Sequence, residues 1–178
     1  MKLTATPLAG AFIVEQDRSA DERGHFARTF SAEEFTQLGL DARVAQCSVS
    51  FNRKAGTLRG MHWQADPHGE AKLVRCTAGA VVDVIVDIRP GSPTQWQWTS
   101  CELSAANGRA LFIPVGFAHG FQTLVDDTEL VYQISVPYHA ASGRGLRHDD
   151  PRLAIRWPLP DVIVNERDRA WPLLPSGT

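Results

Sequence analysis

The sequence has neither a strong charge bias nor a long hydrophobic run. Lys and Arg number 18 against 20 Asp and Glu, the formal net charge is −2, and the basic residues never cluster. We therefore expect no nucleic-acid partner, and any anion must be bound by individual side chains. No segment is apolar for long enough to be a signal peptide or to span a bilayer, which predicts a cytoplasmic protein without a membrane partner.

Cysteine is also scarce. The chain has three, Cys47, Cys76 and Cys101, and none of them lies in a CxxC pair. A chain of 178 residues can bury a sufficient core without disulfide staples, and an odd number of cysteines gives no complete disulfide framework. We expect three buried free thiols in a reducing compartment.

Helix signals are few. Ser31, followed by Glu33 and Glu34, has the pattern of a capping box, and Gly39 ends this short helix about two turns later. One further helical turn is indicated over residues 165–170.

Short β-like runs separated by turn residues fill the segment from about residue 44 to 137, and Asn107-Gly108 is a strong tight-turn signal within it. Closely spaced strands without intervening helices favour a sandwich or barrel over βαβ units. We predict one all-β domain over residues 1–178. Its parts are an N-terminal arm (1–43) that carries the short helix, a core (44–137) and a C-terminal arm (138–178).

Strand alternation places three polar side chains on apolar faces. Tyr132 shares its face with Leu130, and Lys72 shares its face with Val74. His62 falls on the corresponding face of the run LRGMHWQ. A buried lysine needs a counter-ion or a function, because an unpaired ammonium is costly to bury. The three residues are therefore predicted to line the interior of one barrel.

A second motif indicates the type of barrel. The spacing P-x-G-x-x-H, which ends at His119, matches the second of the two motifs that mark cupins. Metal-binding cupins also have H-x-H in the first motif, and this chain has Gln64 two residues after His62. Loss of an imidazole weakens transition-metal binding, so we expect no metal and no cofactor. A metal-dependent cupin enzyme using His62, Glu70 and His119 stays open as an alternative.

Eight segments, in order over about residues 10–170, resemble the dTDP-4-dehydrorhamnose 3,5-epimerase family. They are DERGHF (21–26), GTLRGMHWQ (56–64), KLVRCTAGAVVDVIVDIRPGSPT (72–94), IPVGFAHGFQTL (113–124), VYQISVPY (131–138), DDP (149–151), IRWP (155–158) and NERD (165–168). The resemblance implies a cupin-type jelly roll, or double-stranded β-helix, with a few short helices.

The resemblance also implies an isomerase that inverts C3 and C5 of a nucleoside-diphospho-4-keto-6-deoxyhexose, which in the rhamnose pathway of polysaccharide biosynthesis is dTDP-4-dehydro-6-deoxy-D-glucose. It assigns the base to His62 and the acid to Tyr132. Asp168 would orient His62, and Lys72 would stabilise the enolate oxygen.

Six further residues are assigned to the nucleotide-sugar substrate by the same resemblance, three around the sugar and diphosphate and three around the nucleobase. They are Arg23, Arg59, His119, Tyr138, Gln46 and Phe26. Arginine suits a diphosphate because its guanidinium fork binds phosphate oxygens in pairs.

Several positions depart from the family pattern. Arg28 stands where an acidic residue is expected, Ser48 replaces an asparagine, Gly143 lies where an acidic residue is usual, and His148 replaces a tryptophan. The proposed catalytic set is intact, so these changes concern the nucleobase and the sugar. A mono-epimerase or a 3,4-ketoisomerase acting on another nucleotide sugar is the alternative within the same scaffold.

Three charged residues lie in or just after an apolar strand. Asp83, Asp87 and Arg89 are interpreted as structural, paired with one another or with Arg75, because an unpaired buried charge is costly.

The N-terminal strand signals, near residues 11–14 and 25–30, are too short to fold alone. They should pair with the main sheet or with a partner subunit. The family resemblance implies a homodimer with exchanged N-terminal segments.

Overall fold

The computed structural model describes residues 1–174 of the chain. The strands are β1 (Lys2–Ala5), β2 (Phe12–Glu15), β3 (Arg18–Asp21), β4 (Gly24–Ala27), β5 (Gln46–Asn52), β6 (Leu58–Gln64), β7 (Lys72–Ala78), β8 (Ala80–Asp87), β9 (Trp98–Ser104), β10 (Ala110–Ile113), β11 (Phe117–Thr123), β12 (Thr128–Ile134) and β13 (Gly143–Gly145). The helices are α1 (Ala32–Gln37), α2 (Glu166–Arg169) and one 3-10 turn (Ala140–Ser142).

Two antiparallel sheets form the body of the molecule. One has the strand order β1-β2-β10-β7-β12-β5, and the other has the order β13-β6-β11-β8-β9. Consecutive strands such as β6 and β7 lie in different sheets, as the crossing connections of a jelly roll require. The predicted all-β, cupin-type jelly roll is confirmed.

The interior between the sheets is apolar at one end. Val74 and Leu130 from the six-stranded sheet belong to the same buried cluster as Ile85 and Phe121 from the five-stranded sheet. The outer face of β8 is covered as well, because Val84 packs in a second cluster with side chains of the C-terminal segment. Burial on both faces explains why the β8 sequence is almost continuously hydrophobic.

Both predicted helices are present. The Ser31 side chain accepts a hydrogen bond from the Glu34 backbone N–H at the start of α1, and Gly39 follows the helix with a positive φ of 73°. Asn165 caps α2 in the same way, by accepting from the backbone N–H of Asp168. No helix within residues 1–174 is long and apolar enough to cross a membrane.

The N-terminal region divides into two parts. The strand β2 joins the six-stranded sheet by pairing with β10, whereas β3 and β4 form a separate two-stranded hairpin. Both predicted strand signals therefore correspond to strands. The boundaries of the two arms stay a prediction, and positions 175–178 of the C-terminal arm lie outside the described residues.

The prediction of three buried thiols was wrong for one of them. All three cysteines are free, Cys76 is buried and Cys101 is partly buried, but Cys47 is exposed. Cys47 lies on the outward face of the edge strand β5, where no other element covers it. Burial raises the pKa of the Cys76 thiol to about 11, which makes it a poor nucleophile at neutral pH.

Candidate active site

A cavity of about 770 Å³ lies at the other end of the jelly roll, between the two sheets. Strands β5, β7 and β12 of the six-stranded sheet form one wall, and β6 and β11 of the other sheet form the facing wall. The cavity-lining residues are Gln46, Ser48, Val49, Ser50, Phe51, Arg59, His62, Glu70, Lys72, His119, Phe121, Tyr132, Ile134, Tyr138, Asn165 and Asp168. The prediction that His62, Lys72 and Tyr132 line one interior is confirmed.

A β-bulge in β6 brings Arg59 and His62 to the same face. On the neighbouring strand β11, His119 lies opposite His62 and Phe121 lies opposite Arg59, so two steps on β11 face three steps on β6. Simple alternation would put Arg59 and His62 on opposite faces of β6. The extra residue between them brings both side chains to the same face. Gly60 lies in this segment and has a φ of 132°, a conformation that favours glycine.

His62 forms a close pair with Asp168. Its Nε2 atom lies 2.7 Å from Asp168 Oδ1, and the His62 side chain is 40% exposed whereas that of Asp168 is 2% exposed. Because Nε2 faces the carboxylate, the neutral ring carries its proton there and leaves the lone pair of Nδ1 for the cavity. The pair thus places a basic nitrogen beside the substrate space.

Asp168 stays ionised in spite of its burial. Desolvation opposes the charged form, but His62 and the backbone N–H of Gly60, 3.2 Å from Oδ2, hold the pKa of this carboxyl below its usual value. A third donor, the Trp171 indole N–H, reaches Oδ1 at 3.3 Å. The carboxylate is therefore fixed by donors on both oxygens.

Tyr132 projects from the opposite wall, on β12. Burial raises the pKa of its phenol well above the usual range, and the negative charge of Asp83 adds to this effect. A hydrogen bond with the Ser50 side chain acts in the other direction. The hydroxyl is consequently protonated at neutral pH and able to donate a proton.

Lys72 lies on the same wall as Tyr132. Its register partner on β12 is Ile134, two residues from Tyr132, so both side chains face the cavity. The Lys72 ammonium is 2.8 Å from Glu70 Oε1, and both side chains are about nine-tenths buried. The counter-ion that a buried lysine requires is therefore Glu70.

His119 pairs with Asp83, a partner that the sequence motif did not indicate. Its Nε2 atom lies 2.9 and 3.0 Å from the two carboxylate oxygens of Asp83, and its ring packs against Tyr132 with centroids 6.1 Å apart. The predicted pairing of Asp83 with Arg75, Asp87 or Arg89 was wrong. Asp83 lies on β8 beside β11, and its side chain faces the interior, where it meets His119 of that neighbouring strand.

Asp87 and Arg89 do pair, as predicted. Burial disfavours the charged form of Asp87, but hydrogen bonds from Arg89, Ser92 and Thr94 outweigh it and hold the pKa well below the usual range. This cluster fixes the turn after β8 and does not line the cavity.

Two of the three residues assigned to the nucleobase, Tyr138 and Gln46, line the cavity. The Tyr138 side chain is largely exposed, and its backbone N–H donates to Gln46 Oε1 at 3.0 Å. Arg59 is held by its Nε, which donates to Asn52 Oδ1 at 2.8 Å and leaves the terminal nitrogens free to bind an anion.

Two of the predicted substrate residues lie elsewhere. Arg23 and Phe26 belong to the β3–β4 hairpin and contribute nothing to this cavity. Arg23 pairs with the nearby Asp21, and Phe26 is 76% exposed. The structure thus brings eight of the ten predicted site residues together.

The residues of the metal-dependent alternative do not form a metal site. Among residues 1–174, no group of three or more His, Cys, Asp or Glu side chains is arranged to hold a metal ion. Gln64 has a structural role, since its amide donates to the backbone oxygens of His68 and Pro137 and accepts from His139 N. The donor set does not fit a resident metal.

A jelly roll that holds a histidine–aspartate pair and a phenol on facing walls of one cavity defines a cupin-type acid–base enzyme. The family model for dTDP-4-dehydrorhamnose 3,5-epimerase matches residues 5–176. The chain belongs to this dTDP-4-dehydrorhamnose 3,5-epimerase family.

Individual relatives agree with this assignment. A dTDP-4-dehydrorhamnose 3,5-epimerase from Sinorhizobium fredii is 41% identical over 175 residues, covering 98% of this chain and 90% of that protein. The crystal structure of the Bacillus anthracis 3,5-epimerase with TDP and PPi bound has a TM-score of 0.94 at 40% identity, covering 97% of this chain and 99% of that one. A Legionella pneumophila 3,5-epimerase in complex with dTDP-4-keto-L-rhamnose has a TM-score of 0.91 at 39% identity, covering 97% and 92%.

Proposed function

We propose that this protein is an isomerase that inverts C3 and C5 of dTDP-4-dehydro-6-deoxy-D-glucose to give dTDP-4-dehydro-L-rhamnose. The observation that carries the proposal is the His62–Asp168 pair facing the Tyr132 hydroxyl across one cavity, with Lys72 on the same wall as Tyr132. Family membership and the substrates and products named for the relatives support the same reaction.

Proton removal is assigned to His62. C3 and C5 both flank the C4 ketone, so each C–H proton is acidic enough to be taken by a general base. Nδ1 of His62 accepts the proton, and the resulting imidazolium is stabilised by the ionised Asp168 at its other nitrogen. The electron pair of the broken C–H bond moves onto the C4 oxygen as an enolate.

The enolate oxygen is assigned to Lys72. In the free enzyme its ammonium pairs with Glu70, which balances its charge. An enolate would give this ammonium a second anionic partner in a poorly solvated site. A positioned donor of this kind contributes about 10²–10³-fold in rate.

Reprotonation is assigned to Tyr132. Its hydroxyl lies on the wall opposite His62, so a proton delivered from it enters the other face of the planar enolate and inverts the carbon. The electrons of the C4 enolate re-form the ketone as the new C–H bond forms. His62 then releases its proton and Tyr132 regains one by exchange with solvent, after which the same two groups act at the second carbon.

The rest of the substrate is assigned to the mouth of the cavity. Arg59 would bind the diphosphate, Tyr138 would stack on the nucleobase, and Gln46 beside it would contact the base edge. His119, backed by Asp83, would contact the sugar. The nucleotide would thus extend from the interior towards solvent.

A homodimer would explain the two residues that lie outside the cavity. The β3–β4 hairpin carries an exposed Phe26 and Arg23, and β5 presents exposed apolar side chains on a free sheet edge. We infer that the hairpin of one copy covers the cavity of the other, where Arg23 adds a second cation for the diphosphate. We place the enzyme in the cytoplasm.

Deuterium exchange tests the reaction. Incubation of the protein with dTDP-4-dehydro-6-deoxy-D-glucose in D₂O should label C3 and C5 in the rhamnose-configured product, as read by ¹H NMR. Label at one carbon would identify a mono-epimerase, and transfer of the ketone to C3 would identify a ketoisomerase. Parallel runs with the uridine and cytidine analogues test whether thymine is required.

A further inference from the structure

Trp171 lies just after α2 and contacts the pair that we assign to proton removal. Its indole N–H donates to Asp168 Oδ1, the same oxygen that His62 contacts, and its ring lies edge-on to the His62 ring with centroids 6.3 Å apart. The two donors on one oxygen leave the carboxylate little freedom to rotate away from His62.

Gly145 makes room for this indole. In β13 it pairs in register with His62, and a Cβ atom built on it would lie 2.3 Å from Trp171 Cε2 and 2.4 Å from Nε1. Its φ is not positive, so the backbone does not require glycine, and the three atoms nearest to the added Cβ all belong to the Trp171 ring. The glycine is therefore required by the position of Trp171.

The position of the indole is fixed from its other sides as well. The Arg167 guanidinium lies 5.4 Å from the ring centroid. The next residue, Pro172, accepts a hydrogen bond from Arg147 N, and Leu174 N donates to the buried Asp150 at 2.6 Å. The segment that carries Trp171 is thus tied down on both sides of the contact.

We propose that Trp171 is a positioning residue for the His62–Asp168 pair and that Gly145 is present to seat its indole. This rests on the proposed function, because it assigns Trp171 a role in placing the base of that reaction. The indole N–H holds Oδ1 in the plane in which it accepts from His62 Nε2, and so keeps Nδ1 directed at the substrate.

Trp171→Phe removes the N–H and keeps an aromatic ring. We expect kcat for exchange at C3 and C5 to fall about threefold to tenfold, the effect of losing one long hydrogen bond to a charged group, with little change in KM. Trp157→Phe is the matched control, because the Trp157 indole donates to the backbone oxygen of His148, away from the cavity, at 2.9 Å. This control should keep wild-type kcat.

Gly145→Ala should reproduce the defect of Trp171→Phe, since the added methyl group displaces the indole. Trp171→Ala removes the three atoms nearest to this methyl group, so in that background Gly145→Ala should have no further effect on kcat. A purely structural role for each residue would instead give two independent, additive losses.

A readout without substrate separates this inference from the proposed function. In protein with ¹⁵N-labelled histidine, the His62 ring, assigned with His62→Ala, should show a proton on Nε2 in the wild type and in Trp157→Phe. Trp171→Phe should shift this resonance and populate the other tautomer. If the wild type exchanges neither carbon, the proposed function fails, and the NMR result still decides the role of Trp171. A Trp171→Phe protein that matches Trp157→Phe in both kcat and the His62 resonance would overturn the inference.

Discussion

Asp168 has only one function in the proposed mechanism, which is to orient and charge His62. Both of its oxygens already accept from protein groups, namely His62, Gly60 N and Trp171. Asp168→Asn is nearly isosteric but would present an amide N–H to the ring and favour the wrong tautomer. We expect exchange to fall by about 10²–10⁴-fold.

The control for this change is Asp87→Asn. Asp87 is equally buried and well hydrogen-bonded, but it fixes a turn outside the cavity. Asp87→Asn should lower the melting temperature and leave kcat of the folded protein unchanged. Steady-state exchange kinetics and thermal unfolding measure the two effects. If Asp168→Asn kept wild-type kcat, the assignment of Asp168 would be contradicted.

Strand alternation decided which individual residues could be predicted from the sequence. Lys72 and Tyr132 were correctly placed in the interior because each lies at the inward parity of a regular strand segment. His62 faces the interior too, but it lies beyond the β6 bulge, so alternation counted from the start of that strand does not explain its position. The partner of His119 could not be predicted, since Asp83 lies 36 positions away and meets it only through the pairing of β8 with β11. Charge alone offered Asp83 several equally suitable partners.

At the scale of single elements, the β6 bulge is the feature that builds the cavity wall. A Cβ atom on Gly60 would lie 2.5 Å from Gly120 Cα and 2.9 Å from His119 O, and the backbone is already in a glycine-only conformation. Gly60→Ala should therefore destabilise the fold by at least about 2 kcal/mol and abolish exchange. Urea denaturation and the exchange assay measure the two effects.

Gly91→Ala is the matched control for this element. Gly91 also has a positive φ, of 74°, but nothing lies within 4 Å of an added Cβ. Gly91→Ala should lower the free energy of unfolding through backbone strain alone and leave deuterium exchange at C3 and C5 intact. Equal loss of exchange in both variants would show that the close approach at Gly60 is not what shapes the site.

The bulge also explains why Arg59 could be assigned only by resemblance. By alternation Arg59 and His62 face opposite sides, and a single glycine between them is a weak signal that alternation fails. The capping residue of α1 was readable because caps depend on local sequence. Register shifts depend on the neighbouring strand and could not be read from the local sequence.

At the scale of the whole molecule, the β3–β4 hairpin determines whether one chain makes a complete site. If the hairpin of one copy completes the cavity of another, Arg23→Ala and His62→Ala proteins should complement each other after mixing and subunit exchange. Half of the dimers would be mixed, and each would hold one site with both residues intact. We expect about a quarter of wild-type activity from two nearly inactive proteins.

Mixing His62→Ala with Tyr132→Phe provides the control. Both residues line the cavity of their own chain, so every mixed site lacks one of them and activity should not return. Light scattering would establish the dimer independently. Complementation by both pairs, or by neither, would contradict the exchanged-hairpin arrangement.

The fold as a whole was predictable because its determinants are repeated along the chain, as short alternating strands with turn residues between them. The homodimer with exchanged N-terminal segments stays a prediction that rests on the family resemblance. The exposed Phe26 and the position of β5 at the edge of its sheet are consistent with it.

The central claim is that His62 removes the proton and Tyr132 returns it from the opposite wall. The most direct test compares His62→Ala and Tyr132→Phe in D₂O with the dTDP-4-keto substrate, scoring label and configuration at C3 and C5. We predict no label with His62→Ala. With Tyr132→Phe we predict label but little inversion, because the His62 imidazolium exchanges with solvent and returns a deuteron to the original face. Label at both carbons with His62→Ala, or full inversion with Tyr132→Phe, would contradict the account.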